Sequence, residues 1–219
     1  MTRVKICCIS SIEEASLAIK YGASAIGLVS NMPSGPGVIT EDEIELISLS
    51  VPPGISTFLL TSSQNIEEII AQQKKCKTNT IQICDHLVSG THKQLKEALP
   101  GIKIVQVVHV TDENSLTEAI EVSNSVDAIL LDSGNQKLTV KELGGTGRTH
   151  DWKISKKISE SVKASFFLAG GLNPDNVFDA IRFVNPFGVD ICSGVRTNGN
   201  LDESKLKLFF EKVREADKN

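Results

Sequence analysis

Short runs of apolar, mostly β-branched residues alternate with longer amphipathic segments along the whole chain. Eight of these runs have the length and composition of buried strands. They are Arg3–Cys7, Ala25–Val29, Ser56–Leu60, Thr80–Cys84, Lys103–Val108, Asp127–Leu131, Ser165–Ala169 and Gly188–Ile191. The pattern therefore predicts eight strands distributed from one end of the chain to the other.

Between the runs, apolar residues recur at spacings of three and four, which is the period of one helix face. Leu116, Ala119 and Ile120 are an example, whereas the segment after Trp152 has the weakest pattern. Start signals precede several of these segments: Ser10 or Ser11 before Glu13 and Glu14, Thr40 before Glu41, and Asn173 before Pro174. We therefore expect a helix after every strand.

Strict alternation of strand and helix predicts a parallel sheet. Eight such units in 219 residues favour an α/β fold of one kind, a single (β/α)₈ TIM barrel, over an open doubly wound sheet. With 40% apolar residues the chain can bury a large core, and it contains no linker or low-complexity tract. We expect one barrel domain over residues 1–219.

Composition narrows the classes of partner. The net charge is −4 and the basic residues are scattered, which argues against a nucleic-acid or anionic-membrane partner. The chain starts without an apolar signal segment and has no apolar stretch of membrane-spanning length, so we expect a cytoplasmic protein. Five cysteines, four of them in or at the end of apolar runs, indicate reduced thiols rather than a disulfide framework.

Two reactive side chains lie at predicted strand ends. Cys7 ends the first strand and Asp132 follows the sixth, so a barrel would place both at its C-terminal mouth. Cys7 is a candidate base or nucleophile if Lys5 or a helix N-terminus favours its thiolate. Asp132, in apolar surroundings, is a candidate proton donor. Packing for Cys7 and loop bracing for Asp132 are the structural alternatives. We expect Cys8 to alternate away from the mouth and to tolerate glycine.

Three glycine-bearing loops follow the last three predicted strands. Glycine lets a backbone approach a phosphate closely, and helix N-termini offer free N–H groups. The loops after strands seven and eight are the usual phosphate site of such barrels, although glycine turns often only reverse the chain. The candidate phosphate-binding residues are Gly145, Thr146, Gly147, Gly170, Gly171, Ser193 and Gly194. Together they predict a small phosphorylated substrate.

No metal site is expected. The four histidines and the Cys84-Asp85-His86 run lack paired spacings such as Cys-x-x-Cys or His-Glu-x-x-His. Trp152, the only tryptophan, stands at a predicted helix start, where we expect it to cover the outside of the barrel rather than to stack on a substrate.

Taken together, several motifs in this chain resemble the phosphoribosylanthranilate isomerase family of tryptophan biosynthesis. The resemblance follows the order of the motifs along nearly the whole chain. It rests on Val4-Lys5-Ile6-Cys7, Leu130-Leu131-Asp132-Ser133, Gly144-Gly145-Thr146-Gly147, Asp151-Trp152, Leu168–Val177, Val189-Asp190 and Ser193-Gly194-Val195. It implies a single TIM barrel that performs an Amadori rearrangement without a cofactor, as a monomer or homodimer.

The resemblance also implies residue roles. The family cysteine that matches Cys7 is the general base, and the aspartate that matches Asp132 is the general acid. Asp132 would protonate the furanose oxygen, and Cys7 would then remove the C2′ proton. The glycine loops would hold the 5′-phosphate, whose binding energy orients the sugar. These roles agree with those inferred from the residues themselves.

The chain departs from the family pattern at the amine end of the site. Where the family has Ser-Pro-Arg, with the arginine facing the anthranilate carboxylate, this chain has Met32–Gly37 without a cation. The family glycine after the cysteine is Cys8, and the family Gln-Leu-His-Gly is Gln82-Ile83-Cys84-Asp85. Arg148 and Arg196 are candidate replacements for the missing cation, and Asp190 is a further candidate substrate contact. The alternatives are an isomerase of the same type with another N-substituent and a non-catalytic barrel that binds a sugar phosphate.

Overall fold

The computed structural model describes residues 1–136 and 138–218. Within them, eight parallel strands form one closed barrel in chain order, and β1 pairs with both β2 and β8. The strands are β1 (Arg3–Ile6), β2 (Ala25–Val29), β3 (Ser56–Thr61), β4 (Thr80–Ile83), β5 (Lys103–His109), β6 (Ala128–Asp132), β7 (Ser165–Leu168) and β8 (Gly188–Ile191). The predicted (β/α)₈ TIM barrel is confirmed, and closure excludes the open sheet.

A helix follows each barrel strand. The helices are α1 (Ile12–Tyr21), α2 (Glu41–Ser50), α3 (Ile66–Cys76), α4 (His92–Ala98), α5 (Asn114–Ser123), α6 (Trp152–Ser161), α7 (Val177–Val184) and α8 (Glu203–Lys218). Side-chain caps explain several starts: Ser11 accepts from the Glu14 N–H, and Thr40 and Glu43 form a capping box. In the part of the chain that is described, no helix combines the length and apolarity needed to cross a bilayer.

The helix expected at Asn173-Pro174 begins later than predicted. Asn173 uses its side-chain oxygen to accept from the Asp175 N–H at 2.9 Å, and its own N–H donates to the Asn176 side chain at 2.9 Å. These local bonds hold residues 173–176 in a turn, because Asn side chains compete for backbone partners. The helix α7 therefore starts at Val177.

Apolar side chains form two cores, one on each side of the strand wall. The outer core lies between the barrel and the helices and includes Ile6, Ile26, Leu59 and Ile81. The inner core fills the barrel and includes Cys7, Phe58, Leu60, Cys84, Val105, Val107, Leu130 and Phe167. Because side chains alternate along each strand, β2, β3, β5, β6 and β7 supply both cores. Trp152 packs against the outer core, as expected from its place at a helix start.

A short segment after β8 was not anticipated from the sequence. It consists of a 3₁₀ helix, Ser193–Val195, and a two-stranded ribbon of β9 (Arg196–Thr197) and β10 (Asn200–Leu201). These elements are too short for any periodic signal. The 3₁₀ helix matters for the site because its first residue lies at the barrel mouth.

Candidate active site

The C-terminal mouth of the barrel holds an open cavity with about 700 Å³ of space between atoms, part of it continuous with solvent. Its walls come from the strand ends and from the loops after β2, β6, β7 and β8. The candidate residues that line it are Cys7, Asp132, Gly145, Thr146, Gly147, Gly170, Gly171, Asp190 and Ser193. The structure therefore brings together nine side chains or backbones that the sequence assigned to one site.

Cys7 directly follows the end of β1. Its N–H donates to the Ile191 carbonyl at 2.8 Å, which continues the pairing of β1 with β8 by one residue. The side chain is 7% exposed and lies in the inner core at the cavity wall. A thiol in this position is shielded from bulk water but reaches a ligand in the cavity.

Asp132 ends β6 on the same cavity, and its side chain is 7% exposed. Burial raises the pKa of the Asp132 carboxyl, because the charged form loses its hydration. His109 on β5 and the Ser133 N–H, which lies 2.8 Å from Oδ1, oppose this effect without cancelling it. A raised pKa favours the protonated acid, which is the form that donates a proton.

A buried ion pair joins β1 and β8. The Lys5 ammonium is 2.9 Å from Asp190 Oδ2, and Lys5 is completely buried. Burial raises the pKa of Asp190, and the Lys5 charge opposes this. The second carboxylate oxygen of Asp190, Oδ1, has no hydrogen-bond partner among the described residues. Because Asp190 lines the cavity, this oxygen is an available acceptor for a ligand hydroxyl or N–H.

The three glycine loops pack against one another through their backbones. A Cβ on Gly171, whose φ is +61°, would lie 2.5 Å from the Arg148 carbonyl carbon. A Cβ on Gly194 would lie 2.1 Å from the Leu172 carbonyl oxygen, so both positions require glycine for close approach. Gly194 is packed behind the cavity wall, whereas Ser193 lies on it. The loops therefore form one continuous wall, which supports the predicted phosphate site.

Polar side chains fix the loop after β6 within this wall. The hydroxyl of Thr146 is 2.8 Å from that of Ser133 and also accepts from the Arg148 N–H at 3.3 Å. A Cβ on Gly147 would lie 3.8 Å from the Ser193 hydroxyl. The loops after β6 and β8 therefore meet at the cavity, with hydroxyl groups and glycine backbone facing the same space.

The two candidate arginines lie away from the cavity lining. The Arg196 guanidinium donates to Glu14 Oε1 at 2.7 Å and to the Cys8 carbonyl at 2.6 Å, and its side chain is 8% exposed. Arg148 pairs with Glu142 and is 60% exposed. Arg196 thus joins the ends of β1 and β8 instead of replacing the missing cation, and a substrate contact by Arg148 stays a prediction.

The opposite wall of the cavity is mostly apolar. Its lining residues are Val29, Met32, Leu60, Cys84 and Leu143. Among the described residues, those that line the cavity include neither lysine nor arginine. We call this wall the apolar half, and the wall of Gly144–Gly147, Gly170, Gly171 and Ser193 the glycine-loop half. An aromatic ring fits the first, and an anion fits the second.

Two lining residues escaped sequence reasoning. Gln82 reaches the cavity, and its Oε1 has no hydrogen-bond partner in the part of the chain that is described. The alternation of Gln82 with Cys84 along β4 was the signal that could have identified it. Cys8 also lines the cavity, so the expectation that it points away is wrong. The strand ends at Ile6, and Cys8 adopts a left-handed φ of 61°, which breaks the alternation.

The left-handed backbone of Cys8 has a further consequence. This conformation favours glycine, and glycine is the residue that the family carries at the position.

All five cysteines of the chain are free thiols. Across the described residues, no group of three or more histidine, cysteine, aspartate or glutamate side chains is arranged to hold a metal ion.

Comparisons with known proteins agree with this site. A family model described as N-(5′-phosphoribosyl)anthranilate (PRA) isomerase matches residues 4–212. The isomerase of Methanocella arvoryzae is 33% identical over 98% of this chain and 99% of its own length. That of Methanosarcina acetivorans is 35% identical over 97% of this chain and 93% of its own length.

Solved structures give the same result. The isomerase of Thermotoga maritima is 28% identical with a TM-score of 0.82 and covers 98% of this chain and 100% of its own. A complex with reduced 1-(o-carboxyphenylamino)-1-deoxyribulose 5-phosphate is 27% identical with a TM-score of 0.80, at the same coverage. Monomers generated from the dimeric Thermotoga maritima enzyme are 26% identical with a TM-score of 0.79, again at that coverage. The chain belongs to the N-(5′-phosphoribosyl)anthranilate isomerase family.

Proposed function

We propose that this protein catalyses the Amadori rearrangement of N-(5′-phosphoribosyl)anthranilate to 1-(o-carboxyphenylamino)-1-deoxyribulose 5-phosphate, with Asp132 as acid and Cys7 as base. The observation that carries the proposal is that these two side chains face one cavity, with the glycine-loop half beside them. Family membership supports the reaction, and the shared cavity supports the proposed roles of the two side chains.

The first step is opening of the furanose ring. Asp132 donates its proton to the ring oxygen, the C1′–O bond breaks, and the nitrogen lone pair forms an iminium with C1′. Burial raises the pKa of Asp132, because it disfavours the carboxylate, and this favours the protonated form that donates. The Ser133 N–H at 2.8 Å then stabilises the carboxylate that remains.

The second step is proton abstraction at carbon. The Cys7 thiolate takes the C2′ proton, and the C–H electrons form the C1′–C2′ double bond while the iminium nitrogen becomes neutral. The enolamine then takes up a proton at C1′ while its C2′ hydroxyl loses a proton, which gives the ketone. These steps move protons within one molecule and require no redox cofactor.

Binding energy comes from the parts of the substrate that do not react. The glycine-loop half, including the N-terminus of the 3₁₀ helix at Ser193, is the proposed site for the 5′-phosphate. Asp190 Oδ1 is the proposed acceptor for a sugar hydroxyl or the amine N–H. Held at both ends, the sugar presents C1′ and C2′ to Asp132 and Cys7. The proposed partner is thus a small phosphorylated molecule, bound by a monomer or homodimer.

A fluorescence assay with freshly made phosphoribosylanthranilate tests this proposal. Turnover by the wild-type protein, lost in Cys7→Ser and in Asp132→Asn, is the expected result. Serine and asparagine keep the shapes of the two side chains, so loss of activity without loss of folding would report chemistry. A folded wild-type protein that does not convert the substrate would refute the proposal.

A second candidate is an isomerase of the same type with a different N-substituent. It is favoured by the apolar half, since the described residues that line the cavity offer no lysine or arginine to the anthranilate carboxylate. The matched test is the N-phosphoribosyl derivative of aniline, which lacks the carboxylate. A kcat/KM for the aniline derivative that equals or exceeds that for the anthranilate derivative would favour this candidate.

A further inference from the structure

A buried lysine lies on the same strand as Cys7, two residues before it. Side chains two apart on a strand point to the same side, so Lys5 extends into the barrel below the cysteine. Lys5 is completely buried, its Nζ is 2.9 Å from Asp190 Oδ2, and the ammonium lies 5.1 Å from the centre of the Phe58 ring. Such a charge is costly to bury, and here it lies against Asp190 and Phe58.

Gly27 on the neighbouring strand β2 brings Lys5 and Cys7 close together. A Cβ on Gly27 would lie 2.9 Å from Cys7 Sγ and 3.1 Å from Lys5 Nζ. The two atoms therefore flank one point and are separated by no more than about 6 Å, the range over which an opposite charge favours ionisation. A side chain larger than glycine at this position would separate them.

We propose that Lys5 is the positioning residue of the reaction, whose buried ammonium holds the Cys7 sulfur as the thiolate that removes the C2′ proton. The inference rests on the proposed role of Cys7 as base and adds what keeps that base ionised. A thiol in an apolar barrel otherwise stays protonated and is a poor base. Lys5 does not touch the substrate in this proposal and acts only through Cys7.

The surroundings of Lys5 favour its charged ammonium form. Burial lowers the pKa of Lys5, but the attraction of Asp190 and, after it, of the Cys7 sulfur outweighs burial, so the net pKa is raised. The attraction between Lys5 and a Cys7 thiolate is mutual, because one interaction energy stabilises both charged forms. Asp190 keeps the lysine charged, and the Phe58 ring faces it. The Lys5 charge also favours the ionised forms of Cys84, Asp132 and Cys192, whereas Cys7 Sγ is the sulfur that lies beside Lys5 Nζ at the position of Gly27.

Other titratable groups also surround Cys7. Burial raises the pKa of Cys84 on β4 and of Asp132 on β6, which favours the uncharged forms of both. The Cys8 S–H donates hydrogen bonds to Cys192 and Cys7, which raises the pKa of Cys8 and lowers that of Cys192. The Arg196 guanidinium approaches the Cys7 carbonyl at 3.4 Å, but two bonds to Glu14 offset its charge.

The pH dependence of Cys7 alkylation tests this inference without requiring isomerase activity. Iodoacetamide reacts with the thiolate, and peptide mass spectrometry in a Cys8→Gly background reads Cys7 alone. In Lys5→Met, which keeps length but removes the charge, we expect the midpoint of the rate profile to move up by roughly one pH unit or more, a tenfold loss of rate below it. The control is Lys163→Met, at an exposed lysine, where no shift is expected.

A second variant covers the case in which Lys5→Met fails to fold, since removing one member of a buried pair is strongly destabilising. Lys5→Met combined with Asp190→Asn removes both charges, and the alkylation midpoint should again lie above that of the wild type. An unchanged midpoint in a folded variant overturns the inference.

The pH profile of kcat/KM separates this inference from the proposed function. If Cys7 is the base, the acid limb of the profile should move together with the alkylation midpoint, and activity should recover at high pH. A purely structural role for Lys5 would lower activity at every pH. A shifted alkylation profile with an unshifted kcat/KM profile would overturn the role in catalysis and with it the assignment of Cys7 as base.

Discussion

The glycine-loop half and the apolar half of the cavity differ in the chemical groups that they present to a ligand. The first is a wall of backbone and hydroxyl groups, built where the loops after β6, β7 and β8 pack without intervening side chains. The second is lined by Val29, Met32, Leu60, Cys84 and Leu143. Among the described residues that line the cavity, neither half contains a lysine or an arginine. The first half is the proposed site for an anion, and the second half offers apolar contact area to an aromatic ring.

This difference shows how the two halves depend on sequence. A site made of backbone N–H groups survives most side-chain changes but fails when a glycine gains a Cβ. A site that recognises a charge through one arginine disappears with that arginine. Between the halves, the reacting groups Cys7 and Asp132 belong to rigid strand ends, so we expect the chemistry to be preserved even where recognition of the amine has changed.

The largest expected effect on activity comes from changing Cys7 or Asp132, the reacting groups between the two halves. Cys7→Ser and Asp132→Asn should each lower kcat by roughly 10²–10⁴-fold with a smaller change in KM, the usual result of removing a general base or acid. Steady-state kinetics on folded variants measures this. Full activity in Cys7→Ser would remove Cys7 from the mechanism.

The arginines should separate stability from binding. Arg196→Ala removes the charged partner of the poorly exposed Glu14, which keeps hydrogen bonds from the Ser10 and Leu201 N–H groups, so we expect the free energy of unfolding to fall by about 3 kcal/mol. Arg148→Ala removes an exposed pair with Glu142 and should change stability little. Urea unfolding and KM, measured for both, test this. A large rise in KM in stable Arg148→Ala would instead place Arg148 on the substrate.

Acid should weaken the glycine-loop half. Burial lowers the pKa of His150 to about 4, and the ring lies against the position of Gly170 and bonds the Ser155 hydroxyl at 2.6 Å. Between pH about 4 and 6.5 the unfolded chain binds a proton that the native state does not, so stability falls as pH decreases through this window, by up to about 3 kcal/mol.

Thermal unfolding at pH 7 and pH 4.5 measures this effect. The melting temperature should decrease less in His150→Gln than in the wild type, because glutamine does not titrate. His86→Gln, at an exposed histidine, is the matched control and should behave like the wild type. Equal acid sensitivity in all three proteins would contradict the role of His150.

A Cβ in the glycine-loop half should disturb phosphate binding. Gly194→Ala places a methyl group 2.1 Å from the Leu172 carbonyl oxygen, so the loops after β7 and β8 must separate. We expect roughly 1–3 kcal/mol of destabilisation and a rise in KM. Gly199→Ala is the control, because a Cβ there meets nothing within 4 Å and only its left-handed φ of +83° is strained. Similar KM values in both variants would argue against the phosphate site.

The smallest effect is expected from adding a charge to the apolar half. Met32→Arg should lower KM for phosphoribosylanthranilate by roughly fivefold, about 1 kcal/mol for a partly exposed ion pair. Met32 is a better position than Gly35 or Gly37, whose backbones are left-handed. Met32→Gln controls for side-chain shape. The gain should be absent with the aniline derivative, and an equal gain with both substrates would mean that the arginine does not contact the carboxylate.

The sequence by itself determined the architecture. The spacing of apolar residues differs between the eight runs and the segments that connect them, and this spacing decides secondary structure. The predicted strand bounds therefore agree with the structure to within a residue or two at each end. Closure followed from the number of units. Cys7, Asp132 and the glycine loops were placed at one mouth because parallel strands in a barrel all end there.

Only the tertiary structure decided which charges face the cavity. The sequence alone did not distinguish Arg196 from Arg148. In the structure Arg196 binds Glu14 and the carbonyls at the end of β1, and Arg148 binds Glu142. The pairing of Lys5 with Asp190, and the space that Gly27 leaves between Lys5 and Cys7, join residues far apart in the chain. Local periodicity is fixed by neighbours in sequence, whereas the partner of a charged side chain is fixed by packing between distant segments, and no local pattern encodes that choice.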